Sequence, residues 1–186
     1  VYILKETGEI VDNCQKRPQR LFEERELSVD ECAGYLQKAI NLLKSQTAAS
    51  GSSEGTLKVI ITVSPIRYAK YGYHGSQLSK ATLLLAADKL VKENPGVVSY
   101  FPAYEIMNDE LRDYRFYKED MLHPSEQAVE YIWERFRVTY FGKAAEQFLE
   151  DWRPIREALG HKPFHPESEE HQKFIARTEE KKRQFE

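Results

Sequence analysis

Two short apolar runs, 57–63 (LKVIITV) and 97–101 (VVSYF), constrain this chain more than any other feature. The first is rich in β-branched residues and nearly continuous in apolar character, the pattern of a central strand covered on both faces. The second is stopped by Pro102. Between them, 79–92 (SKATLLLAADKLVK) has helical periodicity, and Asn94-Pro95-Gly96 closes it with residues that do not continue a helix. Strand, helix and strand at this spacing predict a parallel β-α-β unit with a right-handed crossover.

The flanks extend that pattern. Residues 1–4 read as the tail of a strand, and Lys5-Glu6-Thr7-Gly8 is turn chemistry before Ile10-Val11, which predicts a hairpin-like excursion. Ser28 with Glu31 three residues on forms a capping box, and Leu36, Ile40 and Leu43 repeat at helical spacing. This helix is expected to fade near Ser45, because 47–55 (TAASGSSEG) is small and flexible in composition. A third helix is predicted from Pro124-Ser125 to about Phe141, packing Val129, Ile132, Trp133 and Phe136 on the sheet. These elements set a domain boundary at 1–141, followed by a helical, charged extension at 142–186. In that extension Phe148, Trp152, Ile155 and Leu159 form one stripe interrupted by Pro154.

Composition excludes some classes of function. With 186 residues, 41% hydrophobic and 31% charged, the chain is long enough for a sizeable core. A net charge of -3 gives no basic excess to attract nucleic acid. No apolar run approaches the ~20 residues needed to span a bilayer. The opening VYILKETGEI has neither an initiator Met nor a signal-peptide pattern and reads as a piece cut from a longer protein. Two cysteines, Cys14 and Cys32, are too few for a disulfide framework and point to a reducing, cytoplasmic setting.

Residues 97–125 (VVSYFPAYEIMNDELRDYRFYKEDMLHPS) hold the densest chemistry. A long, irregular loop leaving a buried strand, crowded with Glu105, Asp109, Glu110, Asp113, Glu119, Arg112, Arg115 and tyrosines, is a natural place for function. Asp120 and His123 stand three apart before a helix. A carboxylate there can accept the imidazole Nδ1 hydrogen and turn Nε2 toward a nucleophile. The competing structural reading makes Asp120 a turn residue and His123 the start of the helix. For the acidic cluster, internal ion pairs that hold the loop compete with a divalent-metal site. Ser64 and Arg67 lie at the carboxyl end of the first strand, where open α/β sheets bind ligands; Arg67 either grips an anion or pairs with the acidic loop. His161, His165 and His171 read as surface residues, and Cys14 as a small packed side chain.

Three strings carry a resemblance: Thr62-Val63-Ser64-Pro65-Ile66-Arg67, Gln77-Leu78-Ser79-Lys80-Ala81, and the YFPAYEIMNDELRDYRFYKEDMLHPS run. Together with Asn13-Cys14 and Lys16 they resemble the GSCFA-domain family, which belongs with the SGNH (GDSL-like) hydrolases. The resemblance implies a three-layer α/β/α flavodoxin-like fold with a parallel sheet, and ester hydrolysis or acyl transfer without a cofactor. It implies Asp120 and His123 as the D-x-x-H block, with His123 the general base. It places Asn13, Ser64, Arg67 and Tyr68 in the substrate-binding set. The Gly-Ser-Cys-Phe-Ala segment with the presumed serine nucleophile has no match, so the expectation is an N-terminally truncated member with its serine upstream of Val1. Gln15 and Tyr68 stand where the family's N-C-H-K and S-P-x-R-H strings have histidine. Those departures leave open a non-catalytic domain binding a glycan or protein beside the enzyme acting on a small-molecule or glycan ester. A metal-dependent hydrolase is a third class, and a protein partner for the charged tail is unspecified.

Overall fold

The computed structural model describes residues 1–11, 14–49, 57–165 and 167–185, in two compact units, Val1–Ile132 and Trp133–Glu186. The first unit opens with β1 (Tyr2–Leu4), which turns through Gly8 (φ 72°) into β2 (Ile10–Val11). They pair antiparallel, with Tyr2 opposite Val11, as the turn residues predict. A third strand, β3 (Phe22–Glu24), pairs with the other edge of β1 and gives the order β2-β1-β3. Its charged flanks hide it in the sequence, where only Phe22 shows a buried side chain.

Helix α1 (Val29–Ala49) begins on the predicted capping box. The Glu31 N–H donates to Ser28 Oγ at 3.2 Å, and the Ser28 N–H donates to Glu31 Oε2 at 2.9 Å. It runs past the expected stop at Ser45, since Thr47-Ala48-Ala49 includes two strong helix formers. The predicted surface connection is otherwise outside the described residues. After β4 (Val59–Ile61), helix α2 (Gly72–Glu93) starts a full two turns before the expected Ser79. No side chain caps it and its first turns hold Gly72, Tyr73, His74 and Gly75, so capping and apolar signals were both missing there. Strand β5 (Val98–Tyr100) then pairs parallel with β4, Val59 opposite Val98, which is the predicted parallel pairing.

Ala33 and Ile40 of α1, Ala86 and Leu90 of α2 and Val98 of β5 form one core cluster, against which Val59 and Ile61 pack. Asn94 is buried at the end of α2. It exchanges amide hydrogen bonds with Gln37 of α1, at 2.6 and 3.2 Å, and its Nδ2 also donates to the Leu90 carbonyl at 3.0 Å.

Two expectations need correction. The parallel sheet has two strands, and β1 belongs to a separate antiparallel sheet, so the described residues make a mostly helical α/β fold without the three-layer α/β/α sandwich. In β4, Ile60 is 37% exposed, so one face is covered by α1 and α2 while the other is partly open. An apolar run records what a strand can bury and says nothing of how many neighbours it finds.

The segment after β5 is helical where an irregular loop was expected. One α-helical turn, α3 (Ala103–Glu105), passes into a π-helical turn at Ile106–Leu111, and Arg112 ends it in the left-handed region at φ 47°. A 3-10 turn follows at Tyr114–Phe116, capped by Asp113, whose carboxylate accepts the Arg115 N–H at 2.9 Å. Helix α4 (Glu126–Tyr140) starts after Ser125, whose Oγ accepts the Ala128 N–H at 3.3 Å. Ala128 packs with Met107, Phe116 and Tyr117, and Ile132 joins them. This corrects the expected docking of α4 on the sheet; Val129 is 55% exposed.

In the second unit, Trp133 stacks on Phe136, and Phe141 sets its edge against both. Helices α5 (Lys143–Gly160) and α6 (Glu169–Phe185) form a hairpin, with Phe185 against Phe148 and Trp152 at 5.0 and 5.4 Å between ring centroids. Pro154 lies inside α5, where its missing N–H costs one helical hydrogen bond. Ile155 and Thr178 are buried in this unit. Among the described residues no helix is long and apolar enough to cross a membrane.

Candidate functional site

The chain between the 3-10 turn and α4 folds back on itself. Tyr117 and Pro124 form an isolated antiparallel bridge; the Lys118 N–H donates to the His123 carbonyl at 2.8 Å, and the Ser125 N–H to the Phe116 carbonyl at 2.7 Å. The tip turns through Met121, whose left-handed backbone (φ 59°) lets its N–H reach the Lys118 carbonyl at 2.9 Å. Asp120 ties this tip from inside. Its Oδ1 accepts the N–H groups of Leu122 and His123 at 2.9 and 3.0 Å, an Asx-type turn. Its Oδ2 meets His123 Nδ1 at 2.5 Å.

These bonds have an electrostatic consequence. The His123 and Leu122 amides, then the imidazole, stabilise the ionised form of Asp120 and hold its pKa down at about 2. At neutral pH the carboxylate is therefore an acceptor only, and the hydrogen in the contact sits on Nδ1. In the neutral imidazole this leaves Nε2 as the proton acceptor, with no hydrogen-bond partner for it among the described residues. The pair stands at the surface: the His123 and Asp120 side chains are 53% and 43% exposed. An open depression of about 680 Å³ lies on the Asp120 side, bordered by Lys118, Glu119, Ser125 and Glu126 among others.

The loop after β4 docks on this tip. The Arg67 N–H donates to the Leu122 carbonyl at 3.0 Å, and Arg67 Nη1 reaches the Met121 carbonyl at 3.4 Å. The guanidinium lies over the rings of Tyr117 and Tyr114, at 4.1 and 5.4 Å from their centroids. Ser64 sits at the start of the same loop, and buried Lys80 of α2 donates to its carbonyl at 2.6 Å. Burial of Lys80 lowers its pKa.

A model of the GSCFA family matches residues 1–136. The chain belongs to the GSCFA family. A second model, the C-terminal domain of GSCFA domain proteins, matches residues 152–186. Neither a curated protein nor a solved structure gives a match. The first match corrects the expectation of a chain lacking the family's block, since that block, taken as the family model, is contained here. The literal Gly-Ser-Cys-Phe-Ala string, on which that expectation rested, does not occur in the sequence.

In this GSCFA chain the structure brings Asp120, His123 and Arg67 together. Ser64 lies nearby in sequence, but its hydroxyl accepts the Ile66 N–H at 3.4 Å and has no bond to His123 among the described residues. Tyr68 is exposed, with its ring 5.2 Å from Tyr71 and its N–H donating to Ser76 Oγ. Asn13 lies outside the described residues. Cys14 and Cys32 are both free thiols, half-buried.

Within the acidic cluster Asp113 and Arg115 form one of the expected internal ion pairs, and tyrosine hydroxyls engage two other carboxylates. Glu105 accepts the Tyr100 hydroxyl at 2.9 Å, Glu110 accepts that of Tyr131, and the ion pair of Asp113 with Arg115 spans 3.9 Å. Among the described residues no three His, Cys, Asp or Glu side chains converge as metal ligands. The stacking of Arg67 on Tyr114 and Tyr117 went unforeseen; the only signal was the repeated tyrosine spacing within a charged run.

Proposed function

We infer that this GSCFA protein is an SGNH-type ester hydrolase or acyl-transfer enzyme, with His123 as general base and Asp120 as its orienting acid. The observation that carries the reading is the doubly engaged Asp120 carboxylate: one oxygen fixes the turn and the other meets Nδ1 at 2.5 Å. In this reading a serine hydroxyl, which we place outside the described residues, attacks the acyl carbonyl of a small-molecule or glycan ester. Nε2 takes the serine proton as the new carbon–oxygen bond forms, and returns it to the alcohol oxygen as the old ester bond breaks. Water then releases the acyl group by the same relay. Asp120 stabilises the transient imidazolium without taking its proton.

Replacing His123 by Ala in the intact protein is expected to lower kcat on a p-nitrophenyl ester by roughly 10³-fold or more. Near-normal turnover of that variant would sink the assignment. The exposure of the His123 ring and the replacements at Gln15 and Tyr68 favour one rival, a binding domain that keeps the fold without the chemistry. A fluorophosphonate probe separates the two: covalent labelling of a serine supports the hydrolase, and its complete absence in active-site titration supports the rival.

A further inference from the structure

Beside the Asp120–His123 turn, Arg67 and Arg112 line a cavity of about 180 Å³, with Asn108, Asp113, Tyr114 and Tyr117 among its walls. We propose that this cavity binds a small anionic oxygen group, a carboxylate or phosphate, carried by the substrate. The charge balance comes first. Among the described residues Asp113 is the one carboxylate of the lining, and its Oδ1 accepts the Arg115 N–H. Against it stand two guanidinium groups, each with five N–H donors. Arg67 uses one of them in a long bond to the Met121 carbonyl, and Arg112 has no side-chain hydrogen bond or ion pair among the described residues. Two cations around a small space with one carboxylate attract an oxyanion.

The geometry adds to this. The guanidinium carbon of Arg67 rests 4.1 Å from the Tyr117 ring centroid, a contact that restrains the side chain before a ligand arrives. Arg112 follows directly on the π-helical turn and adopts a left-handed backbone that costs a non-glycine residue energy. That backbone puts its side chain at the cavity. The volume equals a handful of waters at about 30 Å³ each, enough for a carboxylate or phosphate on a short stem. The Arg67 N–H is bonded to the Leu122 carbonyl, next to His123, so a molecule anchored here lies alongside the turn. Assigning the anion to an ester substrate rests on the reading of His123 given above; the cavity itself does not.

The experiment therefore separates binding from turnover. The intact protein carrying His123→Ala is titrated with inorganic phosphate and with succinate, followed by ¹H–¹⁵N NMR, with succinamide as the neutral control. Saturable shifts centred on Asn108, Arg112 and Asp113 are expected with at least one anion and none with succinamide. Adding Arg112→Gln, an exposed position whose loss leaves no buried group unpaired, should weaken binding about tenfold. Non-saturating shifts, or affinity that Arg112→Gln leaves intact, overturn the site. In the protein with His123 restored, kcat/KM for a p-nitrophenyl ester of succinate is compared with that for p-nitrophenyl butyrate. A preference for the succinyl ester that Arg112→Gln removes supports the substrate assignment, and equal rates overturn it. Turnover of neither ester, with anion binding intact, overturns the substrate assignment and the hydrolase reading together.

Discussion

Asp120 has two tasks that one substitution can separate. An asparagine keeps an oxygen for the Leu122 and His123 amides but places an uncharged amide or carbonyl against Nδ1, so the turn survives while the imidazole loses its anionic partner. Asp120→Asn is thus expected to lower esterase kcat while leaving the far-UV circular dichroism unchanged. The same residue leaves a pH signature. Its folded pKa of about 2 lies below its ordinary 3.8, so the unfolded chain takes up the proton first as pH falls. The carboxylate's contribution to stability is complete above about pH 4 and is lost between there and pH 2. Melting temperatures across that window should fall less steeply in Asp120→Asn than in the parent; identical slopes would refute the linkage. The pairing of Asp120 with His123 was legible in the sequence because three residues is the span of a turn. The left-handed Met121 that closes that turn was not, since nothing in Asp-Met-Leu-His marks a positive φ.

At the scale of elements, α1 shows how much a local signal can carry. Both bonds of its capping box form, and Ser28→Ala should remove one of them at about 1 kcal/mol, read as a lower urea midpoint with an unchanged m-value. An unaltered midpoint would mean that Arg25, 2.9 Å from Glu31, or the packing of Ala33 already sets the start of the helix. Helix α2 is the contrary case. Its first two turns carry glycine and aromatic residues without a cap, and they follow a helical path because the rest of α2 is held by α1 and β5. The segment after β5 misleads in the same way: its charges and tyrosines look like loop chemistry, yet Met107 at 1% exposure anchors a helical and π-helical turn over Phe116.

Over the whole molecule, the two units depend on separate apolar clusters. Leu90 is fully buried where α1, α2 and β5 meet, and Leu90→Ala is expected to destabilise Val1–Ile132 by roughly 2–5 kcal/mol through lost burial and an unfilled cavity. Denaturant unfolding followed at residues of that unit should show the full loss; a change under about 1 kcal/mol would mean that the cluster collapses around the gap. In Trp133–Glu186 the aromatic side chains of Phe148, Trp152 and Phe185 join α5 to α6, so a segment that reads as a charged extension has an apolar seam of its own. Its match to the family's C-terminal domain over 152–186 agrees with that seam.

What the sequence determined by itself was everything that neighbours along the chain can enforce: the β1–β2 turn, the Ser28 box, the parallel pairing of β4 with β5 and the three-residue spacing of Asp120 and His123. Only the tertiary structure decided how many strands the parallel sheet holds, that the Tyr100 and Tyr131 hydroxyls engage the acidic segment, and that Arg67 comes to rest on Tyr117 beside a turn far along the chain. The physical reason is the range of the interactions. Capping, turns and periodicity act within a few residues and leave their mark in the order of residue types, whereas strand partners and stacked rings are chosen by packing among segments whose separation in sequence carries no signal.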